Sequence, residues 1–390
     1  MKAVILAAGE GQRLRPFTVS KPKVMIKVGN KPILQYVVEA LRDSGIMDIV
    51  MVVGYRKDRV MSHFGDGKRF GVRVEYAFQE QQLGTAHALK QAENLVSDEF
   101  IVVSGDNIID EGTVRSALAE KNSVVYRVVD SPSKYGVIKL GRNGRIEEIV
   151  EKPEEEISYL ANTGVYHFDS RIFDYLAGEN DLTAVINRMI GDGIEFKAVE
   201  SKGVWLDIVY PWDIPKVNEL ALGFRGRVIS GKVESGVFIS GDVVIGKGCV
   251  IRSGTYIRGP VVIGENCEIG PNAVIGPAAS IGSNTVIEPF SAVENSVVGD
   301  NVRIGSGSRL ESSVIDSGTR IMPGFTAVKG KASVEVDGTV QKIETGAFIG
   351  ERCTIGAKVT AMPACTVGNE VEVSPLKVLS GVIPDGSKVL

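Results

Sequence analysis

Histidine is the scarcest reactive residue of this 390-residue chain: there are three, His63, His87 and His167, and residues 168–390 contain none. Nothing in the second half can therefore rest on an imidazole. Excess positive charge is also missing. A net charge of −4 and a pI near 5.7 argue against nucleic acid as a partner, because binding a phosphate backbone needs a basic face. No apolar run approaches the ~18 residues of a membrane span. The apolar residues 2–8 (KAVILAA) are too few for a secretion signal, and GEGQRLRP follows where a small-residue cleavage site should stand. A soluble cytoplasmic protein, with neither nucleic acid nor membrane as a partner, is the expectation. Cysteine numbers only four, Cys249, Cys267, Cys353 and Cys365. Their spacing lacks the Cys-x-x-Cys pattern of a metal site, and a cytosolic chain should not carry disulfides, so interior packing is the better reading.

What is present is written in two styles. Up to about residue 225, strand-like and helix-like segments alternate. Residues 2–8, 49–53 and 100–103 are short apolar runs that end in turn residues, while residues 33–41 carry a helical apolar stripe. Such alternation implies a mostly parallel sheet with helices on both faces and ligands at the carboxyl ends of the strands. From about residue 228 the period changes. Ile245-Gly246, Ile251, Ile257, Ile263-Gly264, Ile269-Gly270, Ile275-Gly276 and Ile281-Gly282 recur about every six residues, and small residues such as Cys249, Cys267, Ala273 and Thr285 fall between them. A hexapeptide repeat of this kind indicates a parallel β-helix, with aliphatics inside and small residues at the corners of a triangular prism. Cys249 and Cys267 are eighteen residues apart, one coil, so they should stack in one interior column. Residues 329–346 break the repeat and read as a loop excursion. Two domains follow, 1–225 and 226–390.

The first strand runs into Gly9-Glu10-Gly11-Gln12-Arg13-Leu14-Arg15-Pro16 and then Thr18-Val19-Ser20-Lys21-Pro22-Lys23. Glycines directly after a strand let backbone N–H groups approach phosphate oxygens, and Arg13 and Lys23 add full positive charge. No Gly-Lys-Ser/Thr follows, so this is not a Walker A loop. The third glycine of a dinucleotide fingerprint is absent, and prolines interrupt the helix that should come next.

The whole string, GxGxRLxPxTxxxPK, resembles the signature of the sugar-1-phosphate nucleotidylyltransferases. The resemblance covers residues 1 to about 215, with the family's main motifs in order. Together with the repeats, the chain is similar to the archaeal type that joins an N-acetylglucosamine-1-phosphate uridylyltransferase or glucose-1-phosphate thymidylyltransferase domain to a left-handed β-helix. In this family such prisms commonly associate as trimers, so a homo-oligomer, a trimer or a multiple of it, is expected.

The resemblance implies a set of roles. Ala7, Ala8, Gly9 and Gly11 would lie along the nucleotide. Gln79, Gly84 and Thr85, in QEQQLGTAHA, match the loop that reads the base, and an amide can both donate to and accept from a uracil or thymine edge. Read without the family, the same loop is polar and Thr85 caps the helix after it. Asp106, in Ser-Gly-Asp, and Asp207, in Trp-Leu-Asp, match the metal-binding carboxylates. Two such carboxylates suit Mg²⁺, a hard ion that bridges phosphates. Gly136, Glu151, Asn162 and Thr163 match segments that face the sugar, with Lys152 a second cation at its phosphate. The catalytic set is then Arg13, Lys23 and Lys152. His87 and His63 read as structural, because a phosphate monoester is already ionised and needs no base.

The implied reaction joins a sugar-1-phosphate (glucose or N-acetylglucosamine) to a pyrimidine nucleoside triphosphate and releases pyrophosphate. LGTAHA favours UTP, whereas the Glu151-Lys152-Pro153 triplet is also familiar from thymidylyltransferases. Relatives with a β-helix can also acetylate an amino-sugar phosphate, using a histidine in an H-x-x-Y-x-G-D context. In its place this chain has Glu311-Ser312-Ser313-Val314-Ile315-Asp316, so acetyl transfer is expected to be absent. Two alternatives stand beside this reading: a non-catalytic sugar-nucleotide-binding regulator, against which the intact set Arg13, Lys23, Asp106 and Asp207 argues, and a bifunctional enzyme with a histidine-free acetyltransferase.

Overall fold

The computed structural model describes residues 1–390 apart from 142–143, 224–225 and 337. Arg225, the expected last residue of the first domain, lies outside the described residues. The chain forms two compact units. One comprises Met1–Gly11, Ser20–Ile26 and Pro32–Asp207, the other Gln12–Val19, Lys27–Lys31 and Ile208–Leu390. Among the described residues, no helix is long and apolar enough to cross a membrane.

In the first unit β1 (Lys2–Ala7), β2 (Asp48–Val53), β3 (Arg73–Phe78) and β4 (Glu99–Ser104) run parallel in the order β3-β2-β1-β4, and β5 (Leu160–Asp169) joins β4 antiparallel. Past their first residues, strands β1 and β2 are apolar throughout, and β4 is apolar from Phe100 to Val103, because they are covered on both faces. Helix α1 (Ile33–Asp43) buries Ile33, Leu34, Val37, Val38 and Leu41 against them, at the spacing its sequence predicts. Ala7 lies opposite Val53, Leu6 opposite Ser104, and Val53 opposite Phe78. This register brings the loops after all four strands to one edge, on both sides of β1, where the direction of strand progression reverses. Open α/β sheets bind ligands at such an edge.

The second unit is the left-handed parallel β-helix. Three parallel sheets of nine, nine and eight short strands form its faces. Ile251, Ile269, Ile287, Ile304, Ile321 and Ile355 stand in register in one interior ladder, all nearly inaccessible. The corners demand left-handed backbone: Asn266, Asn272, Asn284 and Asn301 have φ of 55°, 55°, 56° and 57°. Asparagine tolerates that region because its short amide can hydrogen-bond locally. The excursion at 329–346 is not a loop but an antiparallel hairpin, Gly330–Val336 with Thr339–Thr345. Its residues alternate half-buried Ala332, Val334 and Ile343 with exposed Lys331, Ser333, Lys342 and Glu344, a period of two that the break in the six-residue repeat obscured.

Helix Asp213–Leu222 and the turn at 27–31 belong to this unit through Asn218, which is fully buried. Its Oδ1 accepts from Gly29 N–H at 2.8 Å and from the Ser280 hydroxyl at 2.6 Å, and its Nδ2 donates to Ala278 O at 3.2 Å. Every polar atom of a buried amide is thus partnered, as burial requires.

The four cysteines are free and at most 1% exposed. Cys267 N–H lies 3.4 Å from Cys249 Sγ, which places the two in one column. Burial pushes the Cys365 thiol up to about 11. An aromatic disulfide reagent should therefore label no thiol in the native protein and four after denaturation. Fast native labelling at any of them would show that the coils open locally.

Candidate active site

The carboxyl edge of β1 and β4 holds a cavity of about 300 Å³, lined by Ala7, Ala8, Gly9, Gly11, Lys23, Gln79, Gly84, Thr85, Ser104 and Asp106 among others. Local chain geometry explains the shape. Gly11 has φ 79°, and a Cβ there would stand 2.6 Å from Lys23 Cβ, so only glycine lets the turn close onto that lysine. Lys23 N–H donates to Glu10 O at 3.2 Å. On the opposite wall, Gly84 has φ 118°, and its missing side chain makes room for the backbone of Asn180, whose carbonyl accepts from Ala86 N–H at 2.9 Å. Gly84, not Thr85, is the N-cap of helix α2 (Thr85–Lys90). The Thr85 hydroxyl instead accepts from Leu182 N–H at 2.9 Å and faces Asp181 Oδ1.

At the floor, Lys23 Nζ bridges Asp106 Oδ2 at 2.8 Å and Asp207 Oδ1 at 3.0 Å. Residues 106 and 207 meet because the strand Trp205–Asp207 pairs antiparallel with Asn107–Ile109, setting Asp207 opposite Asn107, next to Asp106. Asp110 anchors that pair, accepting from Thr113 N–H at the helix start and from Val204 N–H at 2.9 Å. Burial lowers the Lys23 pKa, but the charges and hydrogen bonds of Asp106 and Asp207 outweigh it, and the net shift is upward. The ammonium is therefore held charged.

Gln79 is 4% exposed and lines the cavity. Its Nε2 donates to Gly84 O at 2.9 Å and meets His87 Nδ1 at 3.0 Å. The sequence does not reveal this contact of His87, because a loop amide and a helix residue eight positions on share no periodic signature.

The residues expected on the sugar side, Gly136, Glu151, Asn162 and Thr163, lie along β5 and the strands Gly136–Leu140 and Ile146–Glu151. A Cβ on Gly136 would come within 2.7 Å of Glu151 Oε2. Burial, followed by the charge of Asp181, raises the Glu151 pKa against an opposing effect of Lys152. Asn162 donates from Nδ2 to the Tyr166 hydroxyl at 2.8 Å, and its Oδ1 accepts from Gly164 N–H at 3.0 Å. Thr163 is buried, with its hydroxyl donating to Val125 O at 2.7 Å and its carbonyl accepting from Trp205 Nε1 at 3.0 Å. Trp205 in turn packs edge-on against Tyr135, with ring centroids 5.2 Å apart. Lys152 holds left-handed backbone, φ 44°, with its N–H on Tyr135 O. The first unit therefore brings together Lys23, Asp106 and Asp207 with the loop that carries Gln79, Gly84 and Thr85. Arg13 lies in the 3₁₀ turn Gln12–Leu14, on a segment of the second unit. His63 packs against Phe64 and Phe70, as a structural residue does.

Among the described residues, no group of three or more His, Cys, Asp or Glu could hold a metal. The Asp106–Asp207 pair is all-oxygen, already gathers one cation, and leaves Asp106 40% exposed towards the cavity, a donor set that fits a hard divalent ion.

A mostly parallel sheet with a glycine turn, the Gln79 loop and a Lys–Asp cluster at its carboxyl edge is the frame of a nucleotidyltransferase. Residues 2–221 match the nucleotidyl transferase family, and the chain belongs to it. Residues 257–340 match the GMPPB C-terminal domain. Over 391 residues, 95% of this chain and 92% of the relative, it is 34% identical to the "Bifunctional protein GlmU" of Methanococcus maripaludis strain C5. It is 38% identical over 227 residues, 55% of this chain, to the "UTP--glucose-1-phosphate uridylyltransferase AglF" of Haloferax volcanii, covering 93% of that protein. A crystal structure described as that of "a Putative Glucose-1-Phosphate Thymidylyltransferase from Bacillus anthracis in Complex with a Sucrose" superposes with a TM-score of 0.52. It is 34% identical and covers 57% of this chain and 95% of that one.

Proposed function

We propose that the protein transfers a uridylyl group from UTP, with dTTP as the second nucleotide, to glucose-1-phosphate or N-acetylglucosamine-1-phosphate and releases pyrophosphate. The observation that carries this reading is the cavity with a phosphate turn on one wall, the Gln79 amide on another and the Lys23–Asp106–Asp207 cluster at its floor. Two relatives whose names state a nucleotide are a UTP-dependent enzyme and a thymidylyltransferase, which supports pyrimidine use.

The sugar-phosphate oxygen attacks the α-phosphorus in line, one P–O bond forms, and the bond to pyrophosphate breaks. The protein aligns two polyanions and offsets their repulsion. Backbone N–H groups near Gly9 and Gly11 bind phosphate oxygens, and Lys23 supplies charge beside them. Arg13 stabilises the departing pyrophosphate, and Lys152 holds the sugar phosphate. Gly136, Glu151 and Asn162 face the hexose, while Thr163 positions that wall. Asp106 and Asp207 are the residues that would hold Mg²⁺, whose contribution when bound is to neutralise phosphate charge.

Residues 1–225 form the catalytic domain in this reading and residues 226–390 the β-helix. The family match to 2–221 and the first stacked repeat at Val228 support that division. The β-helix carries the homo-oligomer, a trimer or a multiple of it. On one outer face Phe238, Tyr256 and Val274 are exposed in consecutive coils, the first two rings parallel at 5.2 Å. Four buried, unlinked cysteines suit the reducing cytoplasm.

The test is a panel of four nucleoside triphosphates against several sugar phosphates, with pyrophosphate release as readout and light scattering for assembly. Turnover is expected with UTP and dTTP. Preference for ATP or GTP would overturn the base assignment, and a monomer at working concentration would overturn the oligomer.

A further inference from the structure

We infer that His87 is a positioning residue for base selection, acting through the Gln79 amide. The inference rests on the proposed reading of Gln79 as the group that meets the pyrimidine edge.

The direction of every hydrogen bond in this cluster follows from its chemistry. Gly84 O can only accept, so the amide atom 2.9 Å from it is Nε2. The second hydrogen on Nε2 is directed at His87 Nδ1, 3.0 Å away, which must then be the accepting nitrogen. The imidazole accordingly carries its hydrogen on Nε2, 3.5 Å from Gln91 Nε2, whose shorter hydrogen bond is made to His87 O instead. With both Nε2 hydrogens engaged, the amide leaves only Oε1 to meet a ligand in the cavity that Gln79 lines. An amide oxygen there accepts from the N3–H of uracil or thymine but faces the lone pair of cytosine N3. A flipped amide would reverse that preference.

Gly84 O alone constrains one hydrogen. His87 constrains the second and so removes the remaining freedom of a side chain that is 4% exposed. The histidine is in turn fixed by the helix. Its flanking residues Ala86 and Ala88 are buried, and Gln91 Nε2 donates to His87 O at 3.0 Å. His87 touches no substrate in this arrangement; it orients the group that does.

The experiment compares kcat/KM for UTP and CTP, with one sugar phosphate, in the full-length protein and in His87→Leu, His87→Ala and His87→Asn. Asparagine returns an accepting oxygen close to where Nδ1 stands. Losing one orienting hydrogen bond should lower the UTP-over-CTP ratio about tenfold in the leucine and alanine variants. The ratio should return to near the parent value in His87→Asn. Placed in a Gln79→Ala background, His87→Leu should change the ratio no further. Using both leucine and alanine keeps the test alive if one variant does not fold. An unchanged ratio in either folded variant, or equal loss with asparagine, would overturn the inference. A parent enzyme that uses CTP as well as UTP would instead remove the Gln79 reading beneath it.

Discussion

Asp207→Asn and Asp106→Asn are each expected to lower kcat about 10²- to 10³-fold, the usual cost of removing one electrostatic stabiliser from a phosphoryl-transfer site. Pyrophosphate release with UTP, glucose-1-phosphate and Mg²⁺ is the measurement. The substitutions delete no core volume, and Lys23 keeps one carboxylate partner in each case, so the fold should persist. Lys23→Met should lose comparable activity for a different reason, because it removes the ammonium that bridges the two carboxylates. Its melting temperature should then rise on adding Mg²⁺ by more than the parent's, whose ammonium already compensates them. The pH dependence has a defined sign. The Lys23 pKa is raised in the folded state, so its stabilising contribution is complete below its ordinary value of 10.5 and is lost only as pH climbs through the higher folded value. Between pH 6 and 9 the stability difference between parent and Lys23→Met should therefore stay flat. Near-parent turnover in either aspartate variant would remove the two-carboxylate assignment.

Acetyl-CoA incubated with glucosamine-1-phosphate or galactosamine-1-phosphate should release no thiol above background. The GlmU relatives carry the name bifunctional, and this chain is similar to them along nearly its whole length. An amine attacking a thioester must nevertheless lose a proton, and removing the general base costs ~10²–10⁴ in rate. The β-helix offers no imidazole, and three of its carboxylates, Glu311, Asp316 and Glu344, are engaged elsewhere. Glu311 is paired with Arg309 and accepts from Lys329 N–H at 3.3 Å. Asp316 Oδ1 accepts from Ser317 N–H at 2.7 Å, and its side chain is buried. Glu344 lies on the hairpin, 3.7 Å from Lys329 Nζ. Tyr256 stacks on Phe238 at the outer face. Saturable thiol release with either sugar would show that assembly of the oligomer builds a base from these groups.

Whatever depends on local period is legible in the amino-acid sequence alone. Apolar runs bounded by glycine became β1, β2 and β4, and the stripe at 33–41 became a helix, because burial of one face acts over a few residues. The six-residue repeat dictated the β-helix and the stacking of Cys249 on Cys267 for the same reason, each coil meeting only its neighbours. The glycine turn and the charged residues expected at the site are read from a motif, which records which atoms a phosphate needs. Tertiary structure alone decided which of them meet. Asp106 and Asp207 are neighbours only because Trp205–Asp207 pairs with Asn107–Ile109, and their shared hold on Lys23 exists only once that pair has formed. Asn218 turned inward to satisfy Gly29 and Ser280, His87 came to orient Gln79, and Thr163 was committed to Val125 and Trp205. Each of these follows from buried polar atoms that must find partners far along the chain, a demand that no local pattern in the sequence records.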